Sequence, residues 1–146
     1  MAKNNHIYPS KEAVYKMYKF LSEFEQAIAK CAGEFDFDSP ELKQFLQNQD
    51  IYIHPVSKTK SVRDLPRKNY IVFTYGDRRA DYDDKVHDLL RHIRNAIGHA
   101  LITKTAVNRN CFKLTDKNKV HSVTMCGNIE ENLFFALLEQ LKKTKK

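Results

Sequence analysis

Apolar residues recur at spacings of three and four along several stretches of the sequence, and this pattern restricts the fold more than any other feature. The clearest stretch carries Val14, Met17, Tyr18, Leu21, Phe24, Ile28 and Cys31. Such spacing puts one apolar stripe on a helix, so it predicts amphipathic helices that pack around a core. Ser10 and Ser39 are expected N-caps of the first two helices, and Pro40 takes the first helical position of the second.

The stretch LLRHIRNAIGHALI, from Leu89 to Ile102, predicts a third long helix. An acidic group precedes it, as the positive end of a helix dipole favours: Asp81, Asp83 and Asp84. At about 100° per residue its apolar residues share one sector. They are Val86, Leu89, Leu90, Ile93, Ile97 and Leu101. This sector is the expected core face.

Extended structure is predicted mainly in the second half of the chain. CFKLTD and HSVTMCG flank a turn-like DKNK and predict a β-hairpin, and Asn128 is the expected cap of a last helix. NYIVFTYG predicts a short strand, whereas residues 50–68 show no period and predict a loop. The sequence therefore predicts a mainly α fold, a single domain over residues 1–141 with a small β-hairpin before the last helix, followed by a basic tail over residues 142–146.

Charge and composition point weakly to a polyanionic partner. The net charge is +7, but four lysines in the last five residues account for more than half of it and leave +3 without them. No apolar stretch is long enough for a membrane span, and no leader-like segment precedes the first helix. We therefore expect no contact with a membrane and a cytoplasmic location. The three cysteines are widely spaced, which predicts free, buried thiols in a reducing compartment.

The polar side of the third helix carries an unusual set of side chains around one glycine. They are Arg91, His92, Arg94, Asn95 and His99, with Gly98. A histidine can move a proton to or from a ribose hydroxyl, and an arginine can grip a phosphate and stabilise its developing charge. The glycine removes a side chain between Arg94 and His99, which lie about 140° apart on the helix, so a ligand or a second backbone could approach.

The same set is also typical of a solvated helix face, and that interpretation stays open at this level. No carboxylate pair or metal-ligand spacing accompanies the residues, so neither a metal nor another cofactor is expected. If the face is a site, its chemistry fits metal-independent cleavage of RNA.

The six residues from Arg94 to His99, RNAIGH, resemble the hallmark of the HEPN superfamily, in which an arginine and a polar residue precede a histidine on a late helix. LRHIRNAIGHA is similar to the LRNxxxHG helix of bacterial HEPN proteins. FKLTD and HSVTMCGNIEENLFFALLEQL are similar to the β-element and closing helix of its plasmid-encoded, pEK499-type nuclease branch. The resemblance covers residues 84–141 and departs at Ala100, where many members have glycine.

This resemblance implies a HEPN-like helical bundle and a metal-independent endoribonuclease that leaves a cyclic phosphate, of the toxin or phage-defence type. Arg94 and His99 would be the catalytic pair and Asn95 their polar support. From the residues alone, Arg91, His92 and Gly98 are candidate contacts to single-stranded RNA, and an exposed bystander is an equal interpretation of His92. Implied partners are a second copy of the chain, whose motif helix faces the first across a two-fold axis, and a cognate antitoxin.

Two other functions remain open from the residues. A HEPN module without activity would bind RNA, a nucleotide or a partner protein through the same face. A DNA-binding regulator would place the face in a groove, but a β-hairpin rather than a short turn and helix follows the third helix, which disfavours it.

Overall fold

A mixed β-sheet organises the fold in a computed structural model, which describes residues 6–58, 61–76, 84–105 and 110–146. Across these residues the sheet has six strands in the order β1-β4-β5-β6-β3-β2. They are β1 (His6–Ile7), β2 (Tyr52–Ser57), β3 (Tyr70–Tyr75), β4 (Ile102–Thr105), β5 (Cys111–Lys117) and β6 (Val123–Glu130). β2 and β3 run parallel, and the other neighbours are antiparallel.

The helices begin largely where the capping signals predict. They are α1 (Lys11–Glu23), α2 (Pro40–Gln49), α3 (Lys85–Gly98) and α4 (Glu131–Lys143). A π-helical turn (Phe24–Ile28) and a 3₁₀ turn (Ala29–Cys31) extend α1. The hydroxyl of Ser10 accepts a hydrogen bond from the Ala13 amide at 3.1 Å, and that of Ser39 accepts from the Leu42 amide at 3.3 Å. Both predicted caps are confirmed.

The core lies between the helices and one face of the sheet. Fully buried side chains of the sheet meet fully buried side chains of α3 and α4 there. They include Ile71, Phe73, Phe112, Leu114, Met125 and Ile129 from the strands and Leu89, Leu90, Ile93, Phe134 and Leu137 from the helices. On the opposite face, a smaller cluster of Tyr70, Val72 and Cys126 is covered by Val62 and Leu65 from the β2–β3 connection.

The prediction of a mainly α, HEPN-like bundle is wrong, because the chain forms an α/β fold with a mixed sheet. The predicted hairpin is present as β5 and β6, but it belongs to that larger sheet. β2 lies inside the predicted loop, because Pro55 and polar residues obscure the strand pattern in the sequence. β2 is an edge strand of the sheet, and an edge strand tolerates proline. β4 begins at Ile102, which the sequence assigned to the end of the third helix.

The boundary between the hairpin and the last helix also differs from the prediction. Asn128 does not cap α4. It lies within β6, and its side-chain Nδ2 donates to the Lys68 carbonyl at 2.7 Å. Asp84 caps α3, while Asp81 and Asp83 lie outside the described residues. All three cysteines fall within the described residues and are free and buried, as predicted.

Of the residues predicted as a basic tail, Lys142 and Lys143 belong to the last helix and Thr144 is its C-cap. Lys142 lies in the final turn of α4, and its ammonium group is 2.8 Å from a carboxylate oxygen of Glu23. The Lys146 amide donates to the Glu34 carbonyl at 2.8 Å. None of the helices in the described part of the chain is long and apolar enough to cross a membrane.

Candidate functional site

The motif helix α3 is anchored at its N-terminus by one carboxylate. One oxygen of Asp84 accepts from the His87 amide at 2.8 Å and so caps the helix. The other accepts from the amides of Gly33 and Phe35, at 2.8 and 3.1 Å, which ties α3 to the segment after α1. Since Leu89 and Leu90 are fully buried in the core, the position of the helix is set by packing as well as by its cap.

The C-terminal end of α3 closes in a Schellman motif and is exposed. The Leu101 amide donates to the Ala96 carbonyl at 2.8 Å, and the Ala100 amide donates to the Ile97 carbonyl at 3.1 Å. Ala100 therefore takes a left-handed conformation with φ 56°, which favours glycine. Ala100 is the position where the sequence departs from the HEPN pattern, and the helix nevertheless ends there.

Arg94 is oriented by a carboxylate from the π-helical turn after α1. Its Nε lies 2.7 Å and its Nη2 2.6 Å from the same oxygen of Glu25. The third nitrogen, Nη1, lies 3.4 Å from the Asn95 side-chain oxygen. Glu25 therefore holds two corners of the guanidinium and leaves Nη1 toward the end of the helix.

Asn95 and His92 share a buried carboxylate on the neighbouring strand β5. Asp116 Oδ2 accepts from Asn95 Nδ2 at 3.4 Å and lies 2.8 Å from His92 Nδ1. His92 Nε2 is 2.9 Å from the Thr74 carbonyl oxygen, which can only accept, so Nε2 carries a hydrogen. Asp116 thus fixes both side chains.

The structure places His92 in the interior rather than on the outer face that helical periodicity predicts. His92 and Asp116 are each 2% exposed. The buried sector of α3 is wider than its apolar stripe because the helix packs against both β3 and β5. His92 is therefore separated from solvent, and it contacts Asp116 on the buried side of α3.

Arg91 lies one turn before Asn95 and is paired with an acidic neighbour. Its guanidinium is 3.4 Å from one oxygen of Asp88. The other oxygen of Asp88 accepts from the Gly76 amide at 2.9 Å. Arg91 is partly exposed, so it remains at the surface beside the site without joining the contacts of Arg94.

Gly98 and His99 form the exposed tip of the helix. Within the described part of the chain, no hydrogen bond or ion pair engages the His99 imidazole. A Cβ added to Gly98 would lie 3.6 Å from Arg94 Nη1, which is an ordinary contact. Because the fold would accept alanine there, packing within the chain does not explain the glycine.

Four of the predicted residues lie at the C-terminal end of α3 and are called the α3 end site: Arg94, Asn95, Gly98 and His99. Among their side chains the structure shows one contact within the described residues, between Arg94 and Asn95. Sequence reasoning missed Glu25 and Asp116, which position them. The described residues contain no cluster of three or more His, Cys, Asp or Glu side chains arranged to hold a metal. A surface depression of about 760 Å³ between α1 and α4 has none of the four in its walls.

The motif and the sheet can be compared with what the resemblance implies and with known proteins. Residues 94–98 of the RNAIGH motif lie on α3 and His99 is its C-cap, whereas the sheet departs from the bundle that the resemblance implies. Comparisons of the chain with protein-family models, curated proteins and solved structures find no match.

Proposed function

We propose that the chain is a metal-independent endoribonuclease that acts on single-stranded RNA through Arg94 and His99. The observation that supports it most is the geometry of the α3 end site. There an exposed imidazole lies at the end of the helix that carries a guanidinium held by Glu25. A guanidinium held by a carboxylate and an unengaged imidazole at the end of the same helix supply the two groups that proton transfer next to a phosphate needs.

In the proposed reaction, His99 accepts the proton of the ribose 2′-hydroxyl as the 2′-oxygen forms a bond to phosphorus. Arg94 Nη1 donates to a non-bridging oxygen and stabilises the charge of the transition state. The bond from phosphorus to the 5′-oxygen breaks, and the leaving oxygen takes a proton. The products are a 2′,3′-cyclic phosphate end and a 5′-hydroxyl end.

Asn95 acts as a positioning residue in this scheme. Its carboxamide oxygen accepts from Arg94, and its nitrogen donates to Asp116. The side chain therefore connects the guanidinium to the buried Asp116–His92 pair, which fixes its orientation. Arg91 adds a cation at the surface, and Gly98 leaves room for the RNA backbone.

A homodimer completes the proposal. An in-line displacement needs proton transfers on opposite sides of the phosphorus, and one imidazole cannot be on both sides. A second copy of the α3 end site, facing the first, supplies the second His99. An antitoxin that covered the same surface would block the RNA, and a role in phage defence or as a toxin places the enzyme in the cytoplasm with its substrate.

The test is cleavage of single-stranded RNA by the purified chain in EDTA. Wild type is expected to produce cyclic phosphate ends, and Arg94→Ala or His99→Ala is expected to lower the rate by at least about 100-fold. His54→Ala removes another exposed histidine, on the edge strand β2, and is the matched control with unchanged activity. Circular dichroism and Tm should stay the same in all variants.

Two outcomes contradict the proposal. One is a wild-type protein that leaves RNA intact. The other is cleavage by His99→Ala at the rate of His54→Ala, since the imidazole at the end of α3 would then have no role.

A second candidate function is RNA binding without cleavage, because the ion pairs of the two arginines leave less positive charge to stabilise a transition state. Glu25 and Asp88 neutralise Arg94 and Arg91, which reduces the charge that a phosphate meets. RNA binding that weakens with salt, persists in His99→Ala and leads to no cleavage would support this module.

A further inference from the structure

A small apolar pocket adjoins the α3 end site. It encloses about 250 Å³ between the segment before α1, one side of α1 and the end of α3. Val14, Met17 and Ile97 contribute apolar wall, and Tyr8 and Tyr18 stand at its side. Gly98 belongs both to the pocket and to the α3 end site.

The pocket has the size and the walls that suit one planar ring system. It is smaller than the roughly 300–1,000 Å³ of pockets that hold drug-sized ligands. Tyr8 and Tyr18 leave 69% and 62% of their surface exposed, although large aromatic side chains normally gain by burial. Nucleobases stack on such side chains because every base has an aromatic face.

The position of the pocket matches the layout of a nucleotide. A Cβ at Gly98 would lie 3.6 Å from Arg94 Nη1, so the pocket wall and the cation are direct neighbours. A nucleotide likewise joins a flat, largely apolar base to an adjacent anion. The side chain that alanine or a larger residue would add at position 98 would stand between the two.

We infer that this pocket binds one nucleobase of a single-stranded RNA while the adjoining phosphate lies against Arg94. The inference rests on the proposed function only for RNA as the source of the base. It assigns Tyr18 the role of a side chain on which the base stacks. It also explains why position 98 is a glycine, which packing within the chain does not.

The first experiment detects the base directly in the full chain. Uridine 3′-monophosphate and adenosine 3′-monophosphate are titrated while the methyl resonances of Met17 and Ile97 are followed by NMR, with ribose 5-phosphate as the probe that lacks a base. The nucleotides are expected to shift both methyl resonances saturably, and ribose 5-phosphate is not. Equal shifts with all three probes, or no shift with any, would overturn the inference.

The second experiment uses two tyrosines of α1 as a matched pair. Tyr15 is 63% exposed and does not line the pocket, whereas Tyr18 does. In a His99→Ala background, Tyr18→Ala is expected to weaken binding of a hexanucleotide RNA by at least about fivefold, the loss of one stacked base. Tyr15→Ala is expected to leave the affinity unchanged.

The outcomes separate this inference from the proposed function. Cleavage by wild type without methyl shifts overturns the pocket and leaves the nuclease standing. Nucleotide binding at the pocket without cleavage supports the pocket and contradicts the nuclease. An equal loss of RNA affinity in both tyrosine variants overturns the pocket. The pocket is also overturned if Tyr18→Ala changes self-association, measured by sedimentation, and leaves RNA affinity unchanged.

Discussion

At the scale of single residues, Ala100 is held in a conformation that alanine disfavours. Its φ of 56° is required by the Schellman end of α3. A left-handed conformation costs a residue with a Cβ about 1–2 kcal/mol, which glycine avoids. Glycine is also more flexible in the unfolded chain, and this offsets about 0.4–1 kcal/mol of the gain. Ala100→Gly is therefore expected to raise the free energy of unfolding by roughly 0.5–1 kcal/mol in urea denaturation.

Ala29→Gly is the matched control for this substitution. Ala29 is exposed and has φ −54°, in the right-handed helical region. Glycine is expected to lower the free energy of unfolding there by about 0.5–1 kcal/mol. If Ala100→Gly destabilised the protein as well, the strain assigned to Ala100 would be refuted.

The residues of the α3 end site differ in how far the sequence could predict them. Arg94, Asn95 and His99 follow from spacing along one helix, which is local. Glu25 and Asp116 lie 69 and 21 positions from their partners, so no pattern within a window of the sequence connects them. The same limit applies to His92: periodicity gives its direction on the helix, but only the sheet determines that this direction is buried.

At the scale of elements, the π-helical turn after α1 presents Glu25 to α3. Phe24 and Ile28 of this turn are buried, while Glu25 between them stays exposed and reaches Arg94. Glu25→Gln keeps the shape of the side chain but removes its charge. Under the proposed function, Arg94 then loses its orientation, and kcat for RNA is expected to fall about tenfold, or ~1.4 kcal/mol, with KM unchanged or lower.

Glu23→Gln is the control on the same helix. Glu23 pairs with Lys142 rather than with the site, so its substitution should leave both kinetic constants unchanged. Steady-state cleavage assays measure the two effects. A Glu25→Gln enzyme with wild-type kcat would show that the ion pair does not position Arg94.

Elements were predictable where their signals are local. The serine caps of α1 and α2 and the β5–β6 hairpin each depend on residues a few positions apart, and the structure has them. β2 depends instead on pairing with β3 across residues 58–69, and its sequence includes a proline. β1, β2 and β4 were not predicted, and the strand predicted at β3 was not paired with the hairpin, so the predicted fold contained no larger sheet.

At the scale of the whole molecule, the sheet face opposite the helices buries two weak acids. Burial raises the pKa of the Cys126 thiol from 9.0 to about 12, and the nearby Asp64 carboxylate adds to this shift. Burial also raises the pKa of the Tyr70 hydroxyl from 10.0 to about 12. The Tyr70 hydroxyl donates to Asp64 at 3.0 Å, which favours its protonated form. Both groups stay protonated in the folded chain under conditions that ionise them in the unfolded one.

Stability is therefore expected to fall at alkaline pH. The contribution of these groups is complete below the unfolded pKa of the thiol, about 9, and is lost as pH rises toward the folded value of about 12. Cys126→Ala removes the thiol, so the fall in the free energy of unfolding should be shallower just above about pH 9 than in wild type. Urea denaturation over a pH series measures it.

Neutral pH provides the reference for this comparison. Below about pH 8 the free energies of unfolding of wild type and Cys126→Ala should run parallel, since the thiol is protonated in both states of wild type. An identical slope above about pH 9 would show that the thiol is not held protonated by the fold.

The strand order also determines when during synthesis this protein can fold. β6 lies between β5 and β3, yet it follows all the other strands along the chain. On the ribosome, α3 and its motif emerge while the centre of the sheet is still missing, and Asp116 on β5 emerges later still. The nascent chain therefore cannot assemble the α3 end site on its sheet until β6 has left the exit tunnel. Under the proposed function, the nuclease would in this way stay inactive next to the messenger that encodes it.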